Sequence, residues 1–137
     1  MNAIDTNVRI YCHDSRDAEK QNASQQVIET AEPMTLLWQV GCEFIAAARK
    51  LQPFGFTEEQ AWQSLEDMQA MADAVLLPVP ELWTRCRAIQ QQRGMHFWDA
   101  IIVSTCIHYQ VKTLYSEDIP ESDDFHGLRI VNPFHKP

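Results

Sequence analysis

Residues 97–118 read FWDAIIVSTCIHYQVKTLYSED, and this stretch decides the predicted fold. Its first part, from about Phe97 to Tyr109, predicts a helix because apolar residues recur at helical spacing. Its last part contains a short apolar strand, Thr113-Leu114-Tyr115, which is followed at once by polar and acidic residues. A helix that leads directly into a brief buried strand is typical of an α/β protein. The inward side chains of the helix are expected to be Ile101, Ile102, Thr105, Cys106 and Tyr109.

The rest of the chain repeats this alternation of helix and strand. Further helices are predicted over residues 15–31, 37–51, 57–74 and 81–93. Short strands are predicted just before Asp5 and over residues 34–36, 75–79 and 128–131. Because these strands are brief and mostly apolar without alternation, we expect a short central parallel sheet flanked by helices on both faces.

Two helices carry explicit boundary signals. Thr57 and Gln60 have the spacing of a capping box, in which each side chain satisfies the backbone N–H of the other. The helix over residues 81–93 follows Pro80 and precedes Gly94, as is common at the start and end of a helix. The start of the first of these helices and both ends of the second are therefore predicted more closely than the other helix boundaries.

The length and apolar content indicate one domain. The chain has 137 residues, 45% of them hydrophobic, which is enough for a single core over residues 1–137. No apolar run reaches the roughly 18 residues needed to span a bilayer, and no signal-peptide pattern opens the sequence. A cytoplasmic protein without membrane contact is expected. Its four cysteines are expected to be buried free thiols: Cys12, Cys42, Cys86 and Cys106.

The charge restricts how nucleic acid could be bound. The formal net charge is −8, whereas simple binding to phosphates depends on Lys and Arg. A nucleic-acid enzyme of this composition would need metal ions. Five basic residues are candidates for a phosphate-contacting rim, with scattered surface charge as the alternative: Arg9, Arg85, Arg87, Arg93 and Lys112.

Four carboxylates form the candidate site. Asp5 follows the first strand, Asp118 follows the strand at 113–115, and Asp99 opens a helix, so all three can meet at the carboxyl edge of a parallel sheet. Glu43 lies in mid-helix close to the apolar stripe, where a carboxylate needs a partner.

Such a cluster needs a cation. Two carboxylates about 4 Å apart repel by about 4 kcal/mol at an effective dielectric of about 20, so either some protonate or a divalent ion binds. Oxygen ligands favour Mg²⁺ or Mn²⁺, and such a site suits phosphodiester hydrolysis. From the residues alone, purely structural roles also stay open: Asp5 as a helix cap, Asp99 as a partner of the helix dipole, and Asp118 as a turn residue.

Five motifs in order resemble those of PIN domains along nearly the whole chain. They are Ile4-Asp5-Thr6-Asn7-Val8, Cys42-Glu43-Phe44, Phe97-Trp98-Asp99-Ala100, Leu114-Tyr115-Ser116-Glu117-Asp118 and Val131-Asn132-Pro133-Phe134. A chain of this length is most similar to the VapC-type ribonuclease toxins of toxin–antitoxin pairs. The first strand is shorter than usual in that family, and Arg9 stands where the family usually has an apolar residue.

The resemblance implies a PIN-like fold and a Mg²⁺-dependent endoribonuclease, with Mn²⁺ as a possible substitute. It implies that Asp5, Glu43, Asp99 and Asp118 are catalytic and bind the metal, and that Thr6 and Ser116 support them with hydroxyl groups. It also implies an RNA substrate, a homodimer and inhibition by a cognate antitoxin protein.

Other residues have simpler interpretations. His96 is expected to cap a helix at the surface, with substrate contact as the alternative, and the remaining histidines, His13, His108, His126 and His135, are expected to be solvated. The four tryptophans are expected in the core or in dimer contacts rather than as platforms for bases: Trp38, Trp62, Trp83 and Trp98.

Two other functions compete with the nuclease. One is a catalytically silent PIN-like scaffold that binds protein or RNA through the same groove, although all four acids are present. The other is a phosphoacceptor signalling module, which requires a Lys at a strand end near the acids. Lys112, the nearest candidate, begins its strand instead. A neighbouring reading frame for a small DNA-binding protein would distinguish a toxin from a housekeeping nuclease.

Overall fold

A computed structural model describes residues 1–134, and it is a mixed α/β structure with a central, mostly parallel sheet flanked by helices. The strands are β1 Asn2–Ile4, β2 Leu36–Leu37, β3 Val75–Leu76, β4 Thr113–Tyr115, β5 Ser122–Phe125 and β6 Leu128–Val131. The helices are α1 Thr6–Tyr11, α2 Ala18–Thr30, α3 Trp38–Ala48, α4 Glu58–Met71, α5 Glu81–Arg93 and α6 Phe97–His108.

β1 lies between two groups of strands, and the order in which the chain adds strands to the sheet reverses at β1. On one side β1 pairs in parallel with β4, which pairs in parallel with β6, and β5 closes that edge antiparallel to β6. On the other side a bridge between Asn2 and Met34 leads to the parallel pair β2 and β3. Clefts form at such points because the connections on the two sides of the sheet diverge. The carboxyl end of β1, and therefore Asp5, lies at this position.

The core lies between the sheet and its helices. Phe44 of α3, Ile102 of α6 and Leu114 of β4 are fully buried, as the apolar spacing of these segments predicts. α5 packs against α6, and α3 packs against α1 and α4. These contacts fix α1, which follows Asp5, α3, which contains Glu43, and α6, which contains Asp99.

Several boundaries agree with the sequence analysis and others do not. The capping box of Thr57 and Gln60 forms, and α5 ends at Gly94 in a left-handed conformation, as predicted. The predicted helix over 37–51 is shorter, because after Ala48 the chain tightens into a 3-10 helix, Arg49–Phe54, that contains Pro53. The antiparallel edge strand β5 was not predicted, because only Phe125 of its four residues is apolar and buried.

Some predicted burials differ in the structure. The four tryptophans do not lie in the core, since their exposed fractions range from 49% for Trp62 to 68% for Trp83. The alternative expectation, that they form dimer contacts, stays a prediction. All four cysteines are free as predicted, but Cys42 is exposed. His13 is not simply solvated: its ring stacks on Phe56, and it hydrogen bonds to Ser64. His135 lies outside the described residues. Within residues 1–134, every helix is too short or too polar to cross a bilayer.

Candidate functional site

Asp5 is the buried centre of the site. It follows β1 directly and is only 4% exposed. Its Oδ1 accepts a hydrogen bond of 2.7 Å from the Thr6 backbone N–H, so Asp5 is the N-cap of α1. The capping role left open by the sequence is therefore real. It uses one carboxylate oxygen, and the other faces Ser116.

Ser116 connects the ends of the neighbouring strands β4 and β1 by a hydrogen bond. Its Oγ donates to Asp5 Oδ2 at 2.7 Å, across 111 residues of sequence. The same oxygen accepts from the backbone N–H groups of Asp118, at 3.3 Å, and Ile119, at 3.2 Å. One fully buried hydroxyl thus orients the Asp5 carboxylate and shapes the turn that presents Asp118.

Glu43 finds its partner on α1. The Thr6 hydroxyl donates to Glu43 Oε1 at 2.8 Å, because α3 packs against α1. Thr6 is therefore the partner that a carboxylate in mid-helix near the apolar stripe was expected to need. Thr6 is a neighbour of two acids, through its backbone N–H to Asp5 and its hydroxyl to Glu43.

Asp99 and Asp118 lie on the open side of the site. Both line a pocket of about 330 Å³ that opens towards Arg93, His96 and the β5–β6 edge. Asn7 of α1 donates its side-chain N–H to Asp118 Oδ2. Glu117, next to Asp118, is engaged elsewhere: it forms an ion pair with Lys20 and accepts from the Tyr11 hydroxyl at 2.9 Å. Asp118 is therefore the residue of this pair that faces the other acids.

The carboxylates act on one another electrostatically. Burial raises the pKa of Asp5 to about 6, and the charges of Asp99 and Glu43 add to that increase despite the hydrogen bonds from Ser116 and Thr6. Burial, Asp118 and Glu43 also raise the pKa of Asp99, while His96 opposes them. The structure thus brings all four predicted acids into one electrostatic group.

The donor set suits a hard divalent cation, although it is not preformed. No three Asp, Glu, His or Cys side chains within residues 1–134 are grouped closely enough to hold a metal ion as they stand. The acids accept hydrogen bonds from Ser116, Thr6 and Asn7. The residues fit a metal by their chemistry: four carboxylates, one of them buried and raised in pKa, supply oxygen ligands and an excess of negative charge.

The other candidate residues lie at the edge of this site or away from it. His96 is the exposed N-cap residue of α6, as predicted, although its side chain makes no capping hydrogen bond. It also lines the pocket beside Asp99. Arg93 lines the same pocket and packs its guanidinium 4.8 Å from the centre of the Phe125 ring. Arg9 is buried and lies in a different pocket, so it cannot belong to a phosphate rim. Asn7 was missed as a site residue; it lies in the first motif, but its partner Asp118 is 111 residues away.

Comparison with known proteins gives one family and one fold. A family model for the PIN domain matches residues 3–119. A toxin–antitoxin complex from Klebsiella pneumoniae contains a chain of similar structure, with a TM-score of 0.71 and 17% identity, covering 99% of this chain and 100% of that one. VapC20 of Mycobacterium tuberculosis, a toxin that cleaves the sarcin–ricin loop, has a TM-score of 0.65 and 14% identity, covering 86% and 90%. No curated protein matches the sequence significantly.

Proposed function

Because this chain belongs to the PIN domain family, we propose that it is a metal-dependent endoribonuclease and the toxin of a toxin–antitoxin pair. The observation that carries the proposal is the buried carboxylate of Asp5, whose pKa is raised to about 6 beside the charges of Asp99 and Glu43. A concentration of negative charge of this kind is stabilised by a divalent cation.

The proposed metal ligands are Asp5, Glu43, Asp99 and Asp118, with Mg²⁺ as the proposed ion and Mn²⁺ as a substitute. When bound, the ion supplies an activated water for attack on phosphorus and stabilises the leaving oxygen. Ser116 and Thr6 orient the carboxylates of Asp5 and Glu43 through hydrogen bonds of 2.7 and 2.8 Å. Such partners maintain the orientation that ligation requires.

The pocket beside Asp99 and Asp118 is the proposed place of the RNA backbone. Arg93 and His96 line it, so a cationic group lies next to the acids despite the net charge of −8. Contacts of Arg with phosphate position a strand without reading its sequence. RNA as substrate also follows the similarity in fold to VapC20, a toxin that cleaves the sarcin–ricin loop. The cytoplasm is the proposed site of action.

The proposed partners are an antitoxin and a second copy of the chain. The antitoxin is supported by the similar fold of a chain in the Klebsiella pneumoniae toxin–antitoxin complex. The homodimer is supported by exposed aromatic side chains around one groove of about 460 Å³, namely Trp38, Trp83, Phe97 and Trp98. Exposed apolar surface of this kind is common at protein interfaces. We call these four side chains the aromatic patch.

A catalytically silent PIN-like scaffold is the second candidate. The observation in its favour is that the acids, among the described residues, are not grouped closely enough to hold an ion without rearrangement. A scaffold would bind RNA or protein in the same groove and leave the RNA intact.

The test is incubation of the purified protein with single-stranded and structured RNA in Mg²⁺, in Mn²⁺ and in EDTA. We expect cleavage with both metals and none in EDTA, with activity restored when metal is added back. Cleavage that persists in EDTA would contradict a metal-dependent mechanism. RNA that is bound but stays intact with both metals would favour the scaffold.

A further inference from the structure

Arg9 is a buried cation without a counterion in the part of the chain that the structure describes. It lies in α1 and is only 3% exposed. Its Nε is buried and has no hydrogen-bond acceptor, and its Nη2 contacts only the Met34 sulfur, at 3.3 Å. No carboxylate in residues 1–134 forms an ion pair with it, and burial lowers the pKa of the guanidinium to about 10. A buried charge normally requires a paired anion.

Arg9 lines a pocket of about 300 Å³. The lining includes the apolar side chains of Met34, Met68 and Met71, and Arg9 Nη2 contacts the sulfur of the first. It also includes polar groups such as His13, which hydrogen bonds to Ser64 at 3.1 Å. The pocket therefore combines apolar side chains with one buried positive group, the general form of a small-ligand site.

We propose that the Arg9 pocket binds a small organic monocarboxylate, with the carboxylate on the guanidinium and the apolar body against the methionine side chains. A guanidinium donates two parallel hydrogen bonds to a planar carboxylate, and the guanidinium of Arg9 has a donor, Nε, without an acceptor. Glu29 and Asp67, which are exposed and line the same pocket, repel a dianion such as phosphate more strongly than a monoanion.

The Arg9 pocket is distinct from the nuclease site. α1 directs Thr6 and Asn7 to Glu43 and Asp118, whereas Arg9 contacts Met34, at the start of the segment that leads into β2. None of the four site carboxylates lines the Arg9 pocket. The inference therefore stands independently of the proposed RNA cleavage.

The test is the melting temperature of the full chain in EDTA with increasing hexanoate, beside neutral hexanamide and inorganic phosphate. We expect hexanoate to raise the Tm by roughly 4–6 °C at about ten times its Kd. Hexanamide and phosphate at the same concentrations should give little change. Methyl resonances of Met34 and Met68 should shift with hexanoate at the same Kd, which locates the ligand without any substitution.

Two variants separate this site from non-specific charge effects. Arg9→Met keeps a long side chain and removes the cation, so it should abolish the hexanoate effect. Arg129→Met removes an exposed cation from β6 and should leave the effect unchanged. Equal stabilisation of the wild type and Arg9→Met would overturn the proposal. Absence of both the Tm increase and the methyl shifts in the wild type would also overturn it, and would show that Arg9 stays unpaired.

Discussion

Ser116 Oγ lies 2.7 Å from Asp5 Oδ2, so a hydroxyl at the end of β4 orients the acid at the end of β1. The two strands are adjacent and parallel, with Ile4 opposite Tyr115. The residues that follow them therefore meet at the same edge. This contact holds a buried carboxylate in its charged form more readily than burial alone would allow.

The first prediction concerns Ser116→Ala. Loss of the donor should raise the pKa of Asp5 further, because the Ser116 hydrogen bond lowers it. We expect RNA cleavage to fall about 10-fold to 100-fold, as when a partner of a metal ligand is removed, and the acid limb of its pH profile to move to higher pH. The control is Ser104→Ala, which removes a buried hydroxyl that bonds only to the Ala100 carbonyl. Equal activity of Ser116→Ala and the control at every pH would refute this role.

The second prediction is the pH dependence of stability without metal. The pKa of Asp5 rises from 3.8 to about 6 on folding, so its ionisation opposes folding. The contribution of Asp5 to the free energy of unfolding should be most favourable below pH 3.8. It should decrease as the pH rises to about 6, by on the order of 3 kcal/mol in total. Denaturant unfolding in EDTA from pH 3.5 to pH 7.5 measures this, with the Asp5→Asn variant as reference. The difference between the two proteins should favour the variant increasingly across that range. A constant difference would contradict the raised pKa.

The third prediction concerns the homodimer. Light scattering at micromolar concentration should give about twice the 15.8 kDa mass of the chain. Trp83→Glu should give a monomer, because Trp83 is the most exposed member of the aromatic patch and a charge there disfavours burial in an interface. Phe54→Glu, at an exposed aromatic residue outside the patch, should remain dimeric. A wild-type chain that is monomeric and fully active would exclude the dimer as the active form.

The fourth prediction concerns the proposed antitoxin. A basic side chain of the partner, most simply an Arg, should enter the acidic groove, because a guanidinium can replace the charge of the metal and form paired hydrogen bonds to carboxylates. Replacing that Arg by Ala should weaken binding, measured by titration calorimetry, and restore RNA cleavage in the complex. Inhibition that is unaffected by every Arg and Lys substitution in the partner would contradict this mode.

The strands predict where two of the four acids lie. Asp5 and Asp118 follow the apolar strands β1 and β4, which pair in parallel, so both acids come to the same edge of the sheet. Asp99 and Glu43 lie in helices, and their positions depend on helix packing that strand pairing does not give. The hydrogen bonds from Ser116 to Asp5 and from Asn7 to Asp118 each join residues 111 positions apart, so no local sequence pattern predicts them.

The errors have physical causes. β5 is a polar edge strand, so it lacks the apolar run by which a buried strand is recognised. The tryptophans were expected in the core or in dimer contacts. The core is wrong, because α5 and the N-terminal ends of α3 and α6 leave three of them exposed around one groove. Dimer contacts stay a prediction. Arg9 was a candidate for the phosphate rim because of its charge, but it is buried in α1, at a position where the resembling family usually has an apolar residue.

The fifth prediction concerns Asp99→Asn, which keeps the shape of the side chain and removes one charge from the acidic group. Without metal, relief of about 1 kcal/mol of repulsion should raise the Tm by roughly 2–6 °C. Added Mg²⁺ should stabilise the wild type more than the variant, because the variant has lost a ligand. A wild-type Tm that does not respond to Mg²⁺ or Mn²⁺ would contradict metal binding at this site.

RNA cleavage by Asp99→Asn in saturating Mg²⁺ tests the central claim most directly. Asp73→Asn is the matched control, because Asp73 is exposed and lies before β3, away from the acidic group. The account predicts that Asp99→Asn folds with an unchanged circular dichroism spectrum and loses cleavage, while Asp73→Asn cleaves at the wild-type rate. Cleavage by Asp99→Asn at the wild-type rate would contradict the assignment of Asp99 as a catalytic ligand, and with it the proposed four-carboxylate site.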